Sequence, residues 1–339
     1  MKDFLLKVLS GTDLTIKEME QAARLMFAST TPEAVVGGFL TALKMKGEAV
    51  SEITGLVQVI REKAVQLPED IPDVIDNCGT GGDGSQSFNI STTSAFVLAG
   101  AGLTVAKHGN RSISSKTGSA DVLEELGVEL SSTPEQMCHL LKENGIAFLF
   151  AQHVHPAMKQ MMKVRKDLII PTIFNLIGPL TNPVSLSTQL MGIYRRDMLE
   201  HMAHTLHQLG RKRALVLNGA GYMDEASLAG ENHCVLLDRG EIIQFTIKPE
   251  EVGLASARND QISGGDATDN AKLLLRVLQG EQGAYRDTVL LNAGLAILAS
   301  GKATTVQQGV DLAKESIDSG AAYQKLTYLI DYSKQGVKE

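Results

Sequence analysis

Hydrophobic positions along the first 70 residues recur at helical spacing. Between Leu14 and Phe27, the side chains of Ile16, Met19, Ala23, Met26 and Phe27 fall on one face, the period of an amphipathic helix. Ser29 to Thr31 stand where a second helix, Pro32 to Leu43, would be capped, and Ser51 opens a third that runs to about Gln66. Three or four short helices with no strand between them predict a small all-helical module over residues 1–70. The linker from Pro68 to Pro72 closes it.

Beyond Pro72 the period shortens. Asp73 to Asn77 reads as a buried strand that breaks into Gly79-Thr-Gly-Gly-Asp-Gly84, followed by a helix over 91–100 and a strand over 103–106. Further strands are predicted at 147–150, 189–193, 214–217, 234–237 and 242–245. Helical patterns lie at 119–126, 134–143, 196–208, 268–280, 286–299 and 304–317. This alternation predicts a larger α/β domain over 73–339 with a mostly parallel central sheet. Helices around 156–180 are expected to join the N-terminal module.

Composition narrows the classes. The 339 residues are 43% hydrophobic, enough for a sizeable core, and the length suits two domains. Lys plus Arg number 32 against 39 Asp plus Glu, and the net charge of −7 disfavours a non-specific nucleic-acid binder. The apolar stretch Ala95 to Ala106 is too short to span a bilayer, and the N-terminus, with Asp3 and a run of only Phe4 to Leu6, does not fit a signal peptide. Cys78, Cys138 and Cys234 lie far apart and read as reduced thiols. A cytoplasmic protein with no nucleic-acid or membrane partner is expected.

Glycine placement carries more than the count of 32. The run from Gly79 to Gly84 sits between a strand and a helix, where backbone N–H groups can approach an anion with no Cβ in the way. Asn89, Ser91 and Thr92 follow at the expected start of that helix, itself a favourable place for phosphate oxygens. Lys107-His-Gly-Asn-Arg-Ser-Ile-Ser-Ser115 crowds two cations, an imidazole and three hydroxyls after the strand 103–106, where α/β sheets collect ligands. Gly219-Ala-Gly-Tyr-Met-Asp-Glu225 offers adjacent carboxylates after the strand 214–217, a donor set suited to Mg²⁺ shared with substrate phosphates.

These strings, with Gly118-Ser-Ala-Asp121 and Thr172-Ile-Phe-Asn-Leu-Ile-Gly-Pro-Leu-Thr-Asn-Pro183, resemble the anthranilate phosphoribosyltransferases over nearly the whole chain. The resemblance implies a pentosyltransferase of tryptophan biosynthesis that joins anthranilate to 5-phosphoribosyl-1-pyrophosphate. It implies Mg²⁺, up to two ions per monomer, and a homodimer built through the helical module. It also implies that Gly79, Gly82, Asp83, Ser87, Asn89, Ile90, Ser91, Thr92, Lys107, His108, Gly109, Asn110, Arg111, Ser112, Ile113, Ser114, Ser115 and Ser119 contact the phosphoribosyl donor. Gly79, Asn110 and Arg165 would contact anthranilate, and Ser91, Asp224 and Glu225 would hold the metal. No general base is implied, although His108 is the titratable candidate.

Departures from the family pattern are Lys163 before Val164-Arg165, Ile170-Pro171 before Thr172, and Tyr222-Met223 before the acidic pair; none removes an implied ligand. His201, His204 and His207 read as a polar helix face rather than a metal site, and Met158, Met161 and Met162 as pliable apolar lining. Two alternatives share the implied fold: a pyrimidine nucleoside phosphorylase and a non-catalytic nucleic-acid-binding relative.

Overall fold

The computed structural model describes residues 1–112 and 116–336. Helices α1 (Lys2–Leu9), α2 (Ile16–Met26), α3 (Glu33–Lys46) and α4 (Val50–Glu62) form the N-terminal module. A capping box starts α2: Thr15 N donates to Glu18 Oε2 at 2.8 Å and Glu18 N returns to Thr15 Oγ1 at 3.3 Å. The anticipated caps of the next two helices act otherwise. Thr31 Oγ1 donates to Leu25 O and Ser51 Oγ to Leu14 O, so each hydroxyl satisfies a preceding carbonyl instead of its own helix start. A Cβ on Gly55 would strike the backbone of Ile16, which is why α2 and α4 can cross so closely there.

The rest of the chain alternates. In order come β1 (Val74–Gly79), α5 (Ile90–Gly100), β2 (Thr104–Gly109), α6 (Ser119–Glu125), α7 (Pro134–Glu143), β3 (Ile146–Phe150), the single turn α8 (Ala151–Val154) and α9 (Lys159–Leu168). After two 3₁₀ turns follow β4 (Thr188–Gly192), α10 (Leu199–Gln208), β5 (Arg213–Asn218), β6 (Asn232–Asp238) and β7 (Glu241–Ile247). Helices α11 (Ala267–Leu278), α12 (Ala284–Ser300), α13 (Val306–Asp318) and α14 (Ala321–Gly336) complete it. The seven strands form one sheet in the order β3-β2-β1-β4-β5-β6-β7, parallel from β3 to β5 and antiparallel beyond.

Alternation along the strands divides two cores. In β5, Leu215 and Leu217 join the core that α5 and α12 cover, whereas Ala214 and Val216 face the other way. That second face is continuous with the helical module, sharing its core with Phe39, Leu43 and Leu56 and with Met161, Val164, Phe174 and Leu180. The helices around 159–181 therefore wedge between module and sheet. No helix among the described residues is long and apolar enough to cross a membrane.

Helix α9 ends on Ile169, whose φ of +56° is left-handed and whose side chain is 87% exposed. A β-branched residue there costs about 1–2 kcal/mol, and its exposure leaves little packing in return. Ile169→Gly should raise stability by about 0.5–1 kcal/mol, the relief of strain less the greater entropy lost by glycine. A thermal melt that moves downward would contradict this.

Candidate active site

Strands β1 and β4 mark the point where the sheet order reverses, the crevice where such sheets bind ligands. They end side by side on Gly79 and Gly192, which are register partners. A Cβ on either would collide with Asp224, with its carboxylate above Gly79 and its carbonyl oxygen above Gly192. The two glycines make a bare floor on which the turn after β5 lies. The loop after β1 then closes over that turn: Thr80 N donates to Gly192 O at 3.0 Å and Gly81 N to Asp224 Oδ2 at 2.6 Å. Gly81 and Gly82, at φ +70° and +79°, make the reversal that glycine alone takes freely. Asp83 accepts from Ser85 N through one carboxylate oxygen and from Asp224 N through the other, at 3.0 and 3.3 Å.

Three carboxylates therefore crowd one place. Burial, then Asp83 and Glu225, raise the Asp224 pKa well above the usual carboxylate range. Burial pushes Glu225 up to about 7, with Asp83 adding to the rise, while Lys107 and the hydroxyl and N–H of Ser91 favour its charged form. The structure thus brings Ser91, Asp224 and Glu225 together. Among the described residues no set of three or more His, Cys, Asp or Glu side chains is arranged to hold a metal by itself. Two acidic groups strained by mutual repulsion, beside one hydroxyl, instead fit an ion that takes its remaining ligands from water and substrate.

Helix α5 points its N-terminus at this cluster. Asn89 does not cap it: its Oδ1 accepts from Asn270 Nδ2 at 2.8 Å and its Nδ2 donates to Thr117 O at 3.3 Å. The first-turn N–H groups are left without that side-chain acceptor, and among the described residues the buried Thr92 hydroxyl has no partner. Ile90 is buried under the same turn. Ser87 is held by a bridge to Ser263, and Gln86 O accepts from Gly264 N at 2.8 Å. The wall from Ser263 to Asn270 went unanticipated, although Ser263-Gly-Gly-Asp266 repeats the glycine-then-acid signal ahead of a helix.

The string from Lys107 was expected in a loop, but β2 runs on through Gly109, because Lys107 and His108 complete the ladder with Phe148 and Leu149. Lys107 is buried, and its Nζ donates to Asn77 O at 2.8 Å and His108 O at 3.1 Å. Its charge lies beneath the loops, where it acts on Asp76 and Glu225. The His108 imidazole donates to the Gly178 carbonyl and meets His155 edge to face at 5.2 Å. Burial, with His155 and Lys107 adding, holds His108 well below its ordinary pKa; burial lowers His155 to about 4. Both rings are neutral near pH 7, and His108 Nε2 is buried without a partner among the described residues.

Beyond β2, Gly109 lets Ser119 and the Phe148 ring approach, and Asn110 Oδ1 accepts from Arg111 N and Gln152 Nε2 at 2.8 and 3.2 Å. Arg111 is already paired with Asp121 and Glu124 on α6, at 2.9 and 2.7 Å, and Ser112 N donates to Asp121. Ile113, Ser114 and Ser115 lie outside the described residues. Arg165 sits on α9, half-buried, with its guanidinium 5.6 Å from the centre of the Phe174 ring. Burial lowers its pKa, and it has no ion-pair partner among the described residues. The segment that carries Phe174 also carries Gly178, so Arg165 and His108 both meet it. His201, His204 and His207 line the exposed face of α10, and Glu200 lies 3.7 Å from His204.

A helical bundle joined to an α/β domain, with glycine-floored carboxylates at the switch point, is the build of a glycosyl transferase. Residues 2–64 match the helical bundle domain of the glycosyl transferase family and residues 71–323 its α/β domain. An anthranilate phosphoribosyltransferase of Exiguobacterium sibiricum is 63% identical over 97% of each chain, and one of Bacillus cereus 57% identical over 99% of this chain and 98% of that one. The crystal structure of the Thermus thermophilus anthranilate phosphoribosyltransferase superposes with a TM-score of 0.93 at 40% identity, covering 98% of this chain and 99% of that one. The Saccharomyces cerevisiae enzyme, in complex with PRPP and Mg, gives 0.89 at 26%, covering 98% and 97%. The chain belongs to the anthranilate phosphoribosyltransferase family.

Two outcomes follow from the floor and its charges. Gly192→Ala should cost about 3 kcal/mol, since the new Cβ meets backbone that cannot swing aside; a melt within one degree of the parent would contradict the close approach. Because the native pKa of Glu225 is raised, its proton stabilises the fold at low pH. Without divalent ions the parent should therefore lose stability relative to Glu225→Gln as pH rises from about 4.5 through about 7, and no further above. Parallel melting curves across that window would rule it out.

Proposed function

We propose that the chain transfers the phosphoribosyl group of 5-phosphoribosyl-1-pyrophosphate to the amine of anthranilate with release of pyrophosphate, a step of tryptophan biosynthesis. The observation that carries the reading is the turn with Asp224 and Glu225, laid on the Gly79–Gly192 floor against the first turn of α5. That is a site for a polyanion that arrives with a cation. Asp224, Glu225 and Ser91 would hold Mg²⁺, one or two ions, which neutralises charge on the leaving pyrophosphate.

The reaction breaks the bond from C1 of the ribose to the pyrophosphate oxygen, which leaves with the electron pair. The amine nitrogen forms the new bond to C1 and loses a proton. The loop from Gly79 through Asp83, Ser87 and the start of α5 from Asn89 to Thr92 would bind the donor. N–H groups fixed before reaction stabilise charge on the leaving group without reorganising. Lys107, from within the sheet, adds positive potential under the same loops. Gly109 to Ser115 and Ser119 would complete the donor site, with Arg111 first giving up its carboxylate partners if it takes part.

Anthranilate's carboxylate suits Arg165, which is half-buried and has no ion-pair partner among the described residues, and whose planar fork matches it. Asn110 and Gly79 would orient the amine. A nitrogen bonded to both an aryl ring and C1 is acidic once protonated, so a weak acceptor is enough. His108 Nε2, buried without a partner among the described residues, is the acceptor at hand. Leu6, Leu9 and Met45 are 54%, 63% and 84% exposed on α1 and α3 and support a homodimer through the helical module. No observation favours the nucleoside phosphorylase or nucleic-acid-binding readings.

Loss of anthranilate fluorescence should require both the phosphoribosyl donor and Mg²⁺, and turnover of thymidine with phosphate instead would overturn the reading. Arg165→Ala should raise the KM for anthranilate by about 30-fold with little change in that for the donor; the reverse split would remove Arg165 from the acceptor site.

A further inference from the structure

The carboxylate turn depends on two consecutive left-handed residues, Gly221 at φ +83° and Tyr222 at +63°. They reverse the chain so that Gly219 N donates to Met223 O at 2.8 Å and Asp224 returns over the glycine floor. Glycine adopts this conformation freely, and tyrosine does not. Tyr222 is 60% exposed, so core packing does not hold it there. Its ring instead faces Arg196, whose guanidinium carbon lies 4.6 Å from the ring centre.

Arg196 opens the 3₁₀ turn that follows β4. Its Nε donates to Asn218 Oδ1 at 2.8 Å, and the buried Asn218 donates onward to Ile193 O at 2.7 Å and Met223 O at 3.3 Å. Among the described residues no carboxylate pairs with Arg196, in contrast to its neighbour Arg195, which pairs with Asp197. The cation is therefore left to the ring and to Asn218, and both reach the turn that presents Asp224 and Glu225, the ring as part of it and Asn218, at the end of β5, through Met223 O.

We propose that the Arg196–Tyr222 stack is a latch that holds this turn in its metal-binding conformation, so that the loop after β4 sets the metal affinity of the loop after β5. The inference rests on the reading of Asp224 and Glu225 as metal ligands. Arg196 and Tyr222 are positioning residues; they act through the backbone of the turn and not on the substrate.

The test is Mn²⁺ binding to the full chain with pyrophosphate present, followed by electron paramagnetic resonance. Tyr222→Ala removes the ring but keeps a Cβ that resists positive φ, and should weaken Mn²⁺ binding about two- to fivefold, the range of an exposed cation–π contact. Tyr222→Phe keeps the ring face and should bind as the parent does. Tyr222→Gly removes ring and strain together and should also bind within twofold of the parent. In kinetics at limiting Mg²⁺, Tyr222→Ala should raise the KM for the phosphoribosyl donor and leave that for anthranilate unchanged. Parent-like affinity in Tyr222→Ala, or weakening in Tyr222→Gly equal to that in Tyr222→Ala, would overturn the latch. Asp224→Ala serves as the reference: unchanged Mn²⁺ binding there would overturn the ligand reading itself, whereas its loss beside a normal Tyr222→Ala would overturn the latch alone.

Discussion

Everything at the switch point depends on one close approach, the backbone and carboxylate of Asp224 seated on two glycines that have no side chains to block it. Gly79 and Gly192 end adjacent strands in register, so the floor is a product of strand pairing rather than of either loop. Once Asp224 is seated, Gly81 N and Asp83 bind it from the first loop. The loops after β1 and β5 and the end of strand β4 are interlocked by this contact. Preorganisation of this kind is what a transferase with a charged leaving group needs, since donors fixed in advance cost no reorganisation during reaction.

The same packing gathers charge that a folded protein would ordinarily avoid. Asp83, Asp224 and Glu225 repel one another, and burial penalises the ionised forms of Asp224 and Glu225. Lys107 offsets part of this from inside the sheet, where Asn77 O and His108 O satisfy its donors. On the other side of β2, Asp76 accepts from His108 N and from Asn182 Nδ2, and Asn182 also donates to Ala106 O. Strand β2 thus ties the carboxylate site to the 172–182 segment, and that segment leads to Arg165. The sites proposed for the donor and for the acceptor are joined by one strand.

The division into helical module and alternating α/β chain was legible because hydrophobic periods report secondary structure directly. The strand–loop–helix order around Gly79 to Ser91 was legible for the same reason. Side-chain direction was not. Lys107 and Arg111 are alike as charges in a sequence, yet the pleat sends one into the sheet and α6 draws the other to Asp121 and Glu124. Asn89 sits where an N-cap belongs, but Asn270, 181 residues away, claims its side chain. Arg165 looked like any helix-surface arginine; that it lacks a carboxylate partner follows only from what packs around it. Thr31 serves a carbonyl in the last turn of α2 instead of the start of α3, and Ser51 reaches Leu14 O, 37 residues back, because α4 packs beside α2, which no local pattern encodes.

The central claim is that the carboxylates over the glycine floor receive a cation together with a pyrophosphate group at the start of α5. Anomalous diffraction from crystals soaked with Mn²⁺ and pyrophosphate addresses it directly. An anomalous peak is expected beside Asp224 and Glu225, with pyrophosphate density between that peak and the first turn of α5. Manganese found only elsewhere on the chain, or pyrophosphate bound away from α5 with this turn empty, would contradict it.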